Sequence, residues 1–382
     1  MSPYLVHPAL SEGRAGNEPA RVYERFHGSK SMPAFEVIVT LPPPGSCVSR
    51  ECGICVKIRA NSHAPQFGMD VRMRLNNSPE PRLHGSAVCA VLVTYHPDPE
   101  LPARLSRMAP QVGAIVIVDN GSADAELRML RELAADPQIH LMLNLENLGV
   151  AQALNLGVQR AALLGYSLAL LLDQDTCAEA DMVGTLLGIY MSFPRRDRLA
   201  VIGSNYEDIN RPSPQRDGHE AADMRWDEAE SVITSGSLLP LAAHADIGPF
   251  REEFFIDFVD TDYCFRARAK GYHVIKSRRH LMSHAVGALR ESRFLWFRRW
   301  TYNHSPERRY YFVRNNTVLI REYAQHGRVR WMLKSLNRCF RLCKRVILYE
   351  KMRTRKIAAI VEGWRDGVKG NLGPRHARRG SS

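Results

Sequence analysis

Residues 167–176 read Ser-Leu-Ala-Leu-Leu-Leu-Asp-Gln-Asp-Thr, an apolar run of strand length closed by two carboxylates. An apolar run without alternation is a strand buried on both faces. A sheet covered by helices on both sides supplies that environment. The same unit recurs upstream. Val88–Thr94 ends in Tyr95-His96-Pro97-Asp98-Pro99, and Ala114–Val118 ends in Asp119-Asn120-Gly121-Ser122. Both tails are turn chemistry. Ile139–Leu143 and Leu199–Gly203 read as further strands, and Leu101–Ala109, Asp124–Ala135, Gly149–Leu164 and Ala178–Tyr190 carry helical spacing between the strands. This alternation predicts an α/β fold with a Rossmann-like, mostly parallel sheet flanked by helices. Ligands of such sheets lie beyond the C-terminal strand ends, where these polar clusters fall.

The flanking regions differ. Residues 1–85 contain Pro42-Pro43-Pro44-Gly45, scattered charge and one strand-like run, Phe35–Thr40. They are expected to be an irregular or disordered extension. Asn205–Glu230 is polar and turn-rich. Ser231–Pro240 reads as a strand with a Thr234-Ser235-Gly236 step, Asp260–Lys270 as a helix capped by Gly271, and Tyr272–Lys276 as a short strand. From Leu295 onward the chain reads as helices rich in Arg and aromatics. The expected division is an extension over 1–85, a catalytic domain over 86–290 and a helical basic region over 291–382.

Of the 382 residues, 45% are hydrophobic, which fits a globular chain. The start, Met-Ser-Pro-Tyr-Leu-Val-His-Pro, has neither the basic nor the apolar segment of a secretory signal, so a cytoplasmic location is expected. The eight cysteines are then read as thiols rather than a disulfide scaffold. Cys52-Gly-Ile-Cys55 has metal-site spacing but no second pair beside it. The net charge of +12 is lopsided: residues 290–382 hold 24 basic and 6 acidic residues, against 28 and 34 in the rest. Arg328–Ile360 mixes eleven Lys/Arg with Trp331, Leu333, Leu336, Phe340, Val346, Ile347 and Leu348. It reads as a basic amphipathic helix suited to an anionic membrane surface, and would place the chain peripherally at the inner face of the cell membrane. No recognition motif accompanies the charge, so nucleic acid is not an expected partner.

Two acidic segments carry the chemistry. Asp173 and Asp175, two residues apart beyond a buried strand, suit Mg²⁺, which takes one or two carboxylates and completes its shell with substrate phosphates. The competing reading is a solvated turn or helix cap. Downstream, Asp257-Phe-Val-Asp260-Thr-Asp262 opens a helix and offers a general base, or merely acids complementing a helix dipole. Asp119 can accept from a ribose hydroxyl or a base N–H, or simply close its turn. The helix from Asn147 to Asn155 has small residues on one face, which suits close backbone approach, phosphate at its N-terminus, or tight packing on the sheet.

Taken in order, these segments resemble the inverting nucleotide-sugar glycosyltransferases of family 2, which have a GT-A fold. The resemblance runs from Val88 to Asn316. Val93-Thr94-Tyr95 and Val118-Asp119-Asn120-Gly121-Ser122 match the nucleoside-side turns. Asn147, Gly149, Ala151, Ala153, Asn155 and Gly157 match an NxGxAxAxNxG helix. Asp173-Gln174-Asp175 matches the DxD, Thr234-Ser235-Gly236 the acceptor-side strand, Asp260-Thr261-Asp262 the base-bearing motif with Arg266 and Gly271 following, and His284-Ala285-Val286-Gly287 the late HxxG. Two departures stand out. Val259 replaces the Glu of the usual acidic pair, which leaves Asp257 and Asp262 as competitors of Asp260. Trp296-Phe297-Arg298-Arg299-Trp300 lacks the Gln of the polymer-forming QxxRW. Leu172-Asp-Gln-Asp175, the block Phe255–Asp260 and Asp366-Gly367-Val368-Lys369-Gly370 are most similar to bacterial rhamnosyltransferases.

The resemblance implies roles. Asp260 is the catalytic base. Thr94, Tyr95, Asp119, Asn147, Asn155, Asp173 and Gly236 bind the nucleotide-sugar. Asp173, Asp175 and His284 hold Mg²⁺ or Mn²⁺. The implied donor is dTDP-L-rhamnose, or a UDP- or GDP-sugar, and the acceptor is a glycan or lipid-linked hydroxyl in cell-surface polysaccharide synthesis. Two other readings remain, a non-catalytic nucleotide-sugar binder and a nucleotidylyltransferase. The latter needs a Gly-rich basic loop after the first strand, where this chain has Thr94-Tyr95-His96-Pro97-Asp98.

Overall fold

The computed structural model describes residues 21–26, 35–40, 55–60, 84–208, 225–284, 290–294, 297–301, 303–324 and 329–375. The chain divides into two units, Met1–Arg82 and Leu83–Ser382. The first contains a three-stranded antiparallel meander, β1 (Arg21–Phe26), β2 (Phe35–Thr40) and β3 (Cys55–Ala60), with β2 in the middle. The strand-like run Phe35–Thr40 is that central strand.

The second unit begins with β4 (Val88–Thr94), α1 (Leu101–Met108), β5 (Ala114–Asp119), α2 (Asp124–Leu133), β6 (Ile139–Leu143), α3 (Val150–Leu163) and β7 (Leu168–Asp173). It continues through β8 (Cys177–Ala178), α4 (Met182–Ser192), β9 (Leu199–Asp208), β10 (Trp226–Glu228), β11 (Ser237–Pro240), α5 (Leu241–Ile247), α6 (Val259–Ala269) and β12 (His273–His284). A hairpin, β13 (Arg290–Phe294) and β14 (Phe297–Thr301), precedes α7 (Pro306–Ala324), α8 (Val329–Tyr349) and α9 (Arg353–Lys369). One sheet runs in the order β10-β12-β9-β11-β7-β4-β5-β6, with β8 paired to β12. Strands β4 to β7 are mutually parallel where they pair.

The apolar strands are sandwiched as their composition requires. Along β4, Cys89 and Val91 enter one core with α3 and α6, while Val88, Ala90 and Leu92 enter the opposite core with α1 and α4. Burying a Val or Leu side chain contributes roughly 1.5–3 kcal/mol, so alternate residues of one strand hold two helical layers.

Three local expectations are corrected. The strand expected over 231–240 is shortened to Ser237–Pro240 and runs antiparallel to both β7 and β9. Gly236, at φ 73°, reverses the chain there, and a Cβ on it would meet Met282 Sδ at 2.6 Å. The short strand at 272–276 extends as β12 to His284 because β9 continues beside it. The single basic helix over 328–360 is two helices, broken where Glu350 is buried and Met352 turns at φ 55°. Among the described residues no helix is long and apolar enough to cross a membrane.

Candidate active site

Three neighbouring strands end level with one another. The sheet register sets Thr94 beside Asp119 and Val93 beside Asp173. The turns after β4, β5 and β7 therefore form one rim at the C-terminal edge of the sheet, where open α/β sheets bind ligands.

The rim is held by its own polar side chains. Asp119 is fully buried and accepts four hydrogen bonds: from Thr94 Oγ1 (2.9 Å), Ser122 Oγ (2.6 Å), Ser122 N (2.9 Å) and Gly121 N (3.2 Å). Both carboxylate oxygens are thus engaged within the turn. Tyr95 is half exposed, and its main chain is clamped by Gln174, whose Oε1 accepts from Tyr95 N (2.7 Å) and whose Nε2 donates to Tyr95 O (3.2 Å). Gln174 thereby joins the β4 turn to the acidic turn, a role the residue between two aspartates did not announce in the sequence. Below them Ser235 Oγ meets Thr176 Oγ1 at 2.5 Å and accepts from Asp173 N at 3.3 Å, while Gly236 N donates to Leu171 O. The residues of the Thr234-Ser235-Gly236 step therefore support the Asp173-Gln174-Asp175 turn.

The α3 residues divide by role. Asn147 Oδ1 accepts from Gly149 N (2.9 Å) and from Nδ2 of the buried Asn120 (3.2 Å), so it shapes the approach to the helix. Asn155 lies farther along and clamps Phe250, accepting from its N–H (2.8 Å) and donating to its carbonyl (2.9 Å). Gly157 packs on the sheet, where a Cβ would meet Val91 Cγ1 at 2.3 Å. Tight packing thus accounts for the small face of this helix. Its first N–H, on Val150, donates to Phe255 O at 2.7 Å, so the helix N-terminus meets a protein carbonyl.

That carbonyl belongs to the segment bearing the second acidic cluster. Phe255, Asp257 and Phe258 have φ of 65°, 65° and 64°, each costing of order 1–3 kcal/mol and persisting only where surrounding structure dictates it. Helix α7 does so. Asn315 Nδ2 lies 2.9 Å from the carbonyls of Phe254, Ile256 and Asp257. Arg314, fully buried against the rings of Tyr310 and Tyr311, donates to the carbonyls of Glu253 (2.8 Å), Phe254 (3.0 Å) and Gly373. Sequence reasoning missed both residues. The available signal was a polar triplet, Arg314-Asn315-Asn316, between the apolar stretches Tyr310–Val313 and Val318–Ile320 of one helix.

The strained segment ends in α6, whose second residue is Asp260. Its Oδ1 accepts from Thr261 N (2.6 Å) and Thr261 Oγ1 (3.2 Å). Burial pushes its carboxyl up to about 6, and the negative charges of Asp257 and Asp173 push the same way against the Thr261 bonds. Asp260 therefore feels both the strained segment and the DxD strand end. Its competitors differ. Asp262 lies about 200° around the helix from Asp260. It is buried in an ion pair with Arg266 (2.8 Å) and, at 3.7 Å, with Arg251. Burial raises the Asp257 carboxyl as well, opposed by Arg308, whose guanidinium approaches it at 3.4 Å. Asp257 Oδ2 is buried without a hydrogen-bond partner.

No cluster of three or more His, Cys, Asp or Glu side chains is arranged to hold a metal among the described residues. The donor set nonetheless suits a divalent cation. Asp173 and Asp257 both act electrostatically on Asp260, and one buried carboxylate oxygen lacks a partner. Such converging negative charge favours a cation. The backbone sets His284 one step beyond the Ser283–Cys177 pair of β12 and β8, level with the acidic turn; its side chain lies outside the described residues, as do Ala285, Val286 and Gly287. Cys52 and Trp296 fall outside as well, whereas Phe297–Trp300 lie in β14.

Residues 89–231 match the model of Glycosyl transferase family 2, a match that covers the β4, β5 and β7 turns and stops short of α6. A dTDP-rhamnosyl transferase RfbF of Shigella flexneri is 26% identical over 251 residues, 62% of this chain and 81% of that protein. The structure of Staphylococcus aureus TarS 1–349 in complex with UDP-GlcNAc superposes with a TM-score of 0.50 at 15% identity, over 74% of this chain and 80% of that one. Against a longer S. aureus TarS structure the chain spans 39% of the relative's length, at a TM-score of 0.43, 14% identity and 61% of this chain. The sheet and its flanking helices are those of a GT-A fold.

Proposed function

We infer that this chain, which carries a family 2 glycosyltransferase domain, is a rhamnosyltransferase-like enzyme that moves a sugar from a nucleotide-sugar to a hydroxyl with inversion. The observation that carries the reading is Asp260: a half-buried carboxylate raised to about 6, within electrostatic reach of Asp173, and the member of its cluster with no basic partner among the described residues. A general base works best with a pKa near working pH and a free oxygen. Asp262 is held by Arg266 and Asp257 faces Arg308, which leaves Asp260 for the acceptor proton.

The step is a single displacement. The acceptor oxygen forms its bond to the anomeric carbon as its proton passes to Asp260, and the carbon–oxygen bond to the diphosphate breaks with the electron pair leaving on the nucleotide. One displacement without a covalent sugar–enzyme inverts the centre. Asp173 and Asp175, with His284, would hold Mg²⁺ or Mn²⁺, which supplies Lewis-acid neutralisation of the leaving diphosphate. In this reading Tyr95, exposed on the rim, covers the base, with Asp119 and Thr94 shaping its turn and Asn147 the next one. Asn155 and Gly236 act on the donor site through the segments they hold in place. Resemblance to the S. flexneri rhamnosyl transferase supports dTDP-L-rhamnose over UDP- or GDP-sugars. The acceptor in this reading is a glycan or lipid-linked hydroxyl of a cell-surface polysaccharide.

The test is a thermal-shift and nucleoside-diphosphate release panel over dTDP-rhamnose and UDP- and GDP-sugars, with and without Mn²⁺, on the full chain. A metal-dependent shift that Asp175→Ala abolishes is expected. Indifference of the chain to every nucleotide-sugar would sink the reading.

A further inference from the structure

Helix α8 has two apolar faces. Trp331, Leu342 and Val346 are buried, and Trp331 packs edge-on against Phe265 of α6 at 5.0 Å. Val329, Leu333, Leu336, Phe340 and Ile347 are exposed, Leu333 at 58% and Phe340 at 70%. At about 100° per residue, the exposed five fall within an arc of roughly 60°, on the side of the helix opposite the buried three. Lys344, Arg330 and Arg341 line one flank of this stripe, with Lys334, Arg345 and Arg338 farther round the same side, and the helix carries no acidic residue. Helix α9 repeats the device: Ile357, Val361, Trp364 and Val368 are exposed at spacings of 4, 3 and 4, opposite its buried Ala359, Gly363 and Asp366.

We propose that the outward face of α8 is a docking surface for an anionic phospholipid leaflet. An apolar stripe with a basic flank is the design of an interfacial helix, in which apolar side chains enter the acyl boundary while cations meet the headgroups. Charge argues against a second copy as the occupant, because pairing two α8 helices would bring together flanks that are both wholly positive. The structure also shows which residues are free for the task. Trp331 and Val346, apolar members of the same sequence stretch, are spent on α6 and the core. On its other face Trp331 of α8 touches Phe265 of α6, so docking would bring the Asp260 helix to the lipid-facing side of the domain. The proposal specifies where the acceptor would be presented, but vesicle binding is read without turnover, so it stands or falls separately from the glycosyltransferase reading.

The experiment is flotation of the full chain with vesicles of phosphatidylcholine alone or of equimolar phosphatidylcholine and phosphatidylglycerol. Binding to the mixed vesicles, weakened by salt, is expected. Arg330→Gln/Arg341→Gln/Lys344→Gln should weaken it on the order of a hundredfold. Leu333→Gln/Leu336→Gln/Phe340→Gln, all at exposed positions and so compatible with folding, should weaken it at least about tenfold. Circular dichroism checks that both variants keep their helices. Equal binding to the two vesicle types, no binding to either, or unchanged binding by the stripe variant would overturn the proposal. So would a wild-type dimer in sedimentation that the stripe variant dissolves, since that assigns the face to a second copy.

Discussion

Replacing Asp260 by Asn should make the protein more stable and inactive at once. Burial and the charges of Asp257 and Asp173 raise its carboxyl from 3.8 to about 6. The folded state therefore holds this proton more tightly than the unfolded chain, and ionising the group opposes folding. At 1.36 kcal/mol for each pH unit the difference amounts to about 3 kcal/mol, and partial solvent access reduces it to about 1–3 kcal/mol. The sign follows from linkage. Below pH 3.8 both states are protonated and the side chain carries no penalty. The penalty grows as pH rises from there and is complete above about 6. Asn keeps an oxygen for Thr261 N and Oγ1, so the local geometry is retained. The assay is urea denaturation of wild type and Asp260→Asn in EDTA, without nucleotide, at pH 4, 5, 6 and 7.5, alongside sugar transfer at pH 7.5. The variant should gain about 1–3 kcal/mol at pH 7.5 and nothing near pH 4, and lose about 10²–10⁴-fold in kcat. A variant less stable than wild type at pH 7.5, or one that keeps its turnover, would refute the placement of an uncompensated buried base at this position.

Asn315→Ala removes the donor shared by three carbonyls of the strained segment; it should lower stability by about 2–4 kcal/mol and reduce kcat while donor affinity, measured by calorimetry, stays within about twofold. Gly157→Ala drives a methyl into Val91 Cγ1 and should destabilise by about 1–3 kcal/mol in denaturant titration, with kcat of the folded fraction unchanged. Glu350→Gln leaves the buried Arg309 and Lys356 without their counter-charge, so unfolding free energy should fall by about 3–5 kcal/mol.

The sheet was legible because its strands are apolar on both faces, and a short run of that kind fits a sheet covered by helices on both sides better than a surface strand. Val88–Thr94 and Ile139–Leu143 are found as read, and β7 differs by one residue at each end. Register was not legible at β11, because Gly236 acts through its backbone, and a lone glycine in an apolar run does not reveal which way the chain leaves it. The carboxylates were visible as types and spacings, yet their duties depend on partners distant in sequence. Asp262 differs from Asp260 mainly because Arg251 and Arg266 surround it. Asp119 looked like a ligand contact and is saturated by Thr94, across a strand pair, and by Ser122 within its own turn. In the C-terminal quarter, composition revealed the charge but not the break at Glu350, which follows from a buried Arg309–Glu350–Lys356 cluster spread over two helices.

The clasp that Arg314, Asn315 and Gly373 place on the base-bearing segment has a consequence for how the protein comes into being. Gly373 N donates to Glu253 O, and its carbonyl accepts from Arg314, so the chain closes on itself across more than a hundred positions. A nascent polypeptide that has emerged only through β12 holds every carboxylate of the site but lacks Arg314, Asn315 and Gly373, which hold the backbone of the segment bearing Asp257 and leading into Asp260. The active geometry therefore comes late in synthesis, and products of premature termination or of C-terminal proteolysis would keep the sheet and lose the catalyst. In that sense the C-terminal helices complete the base-bearing segment rather than merely flank it.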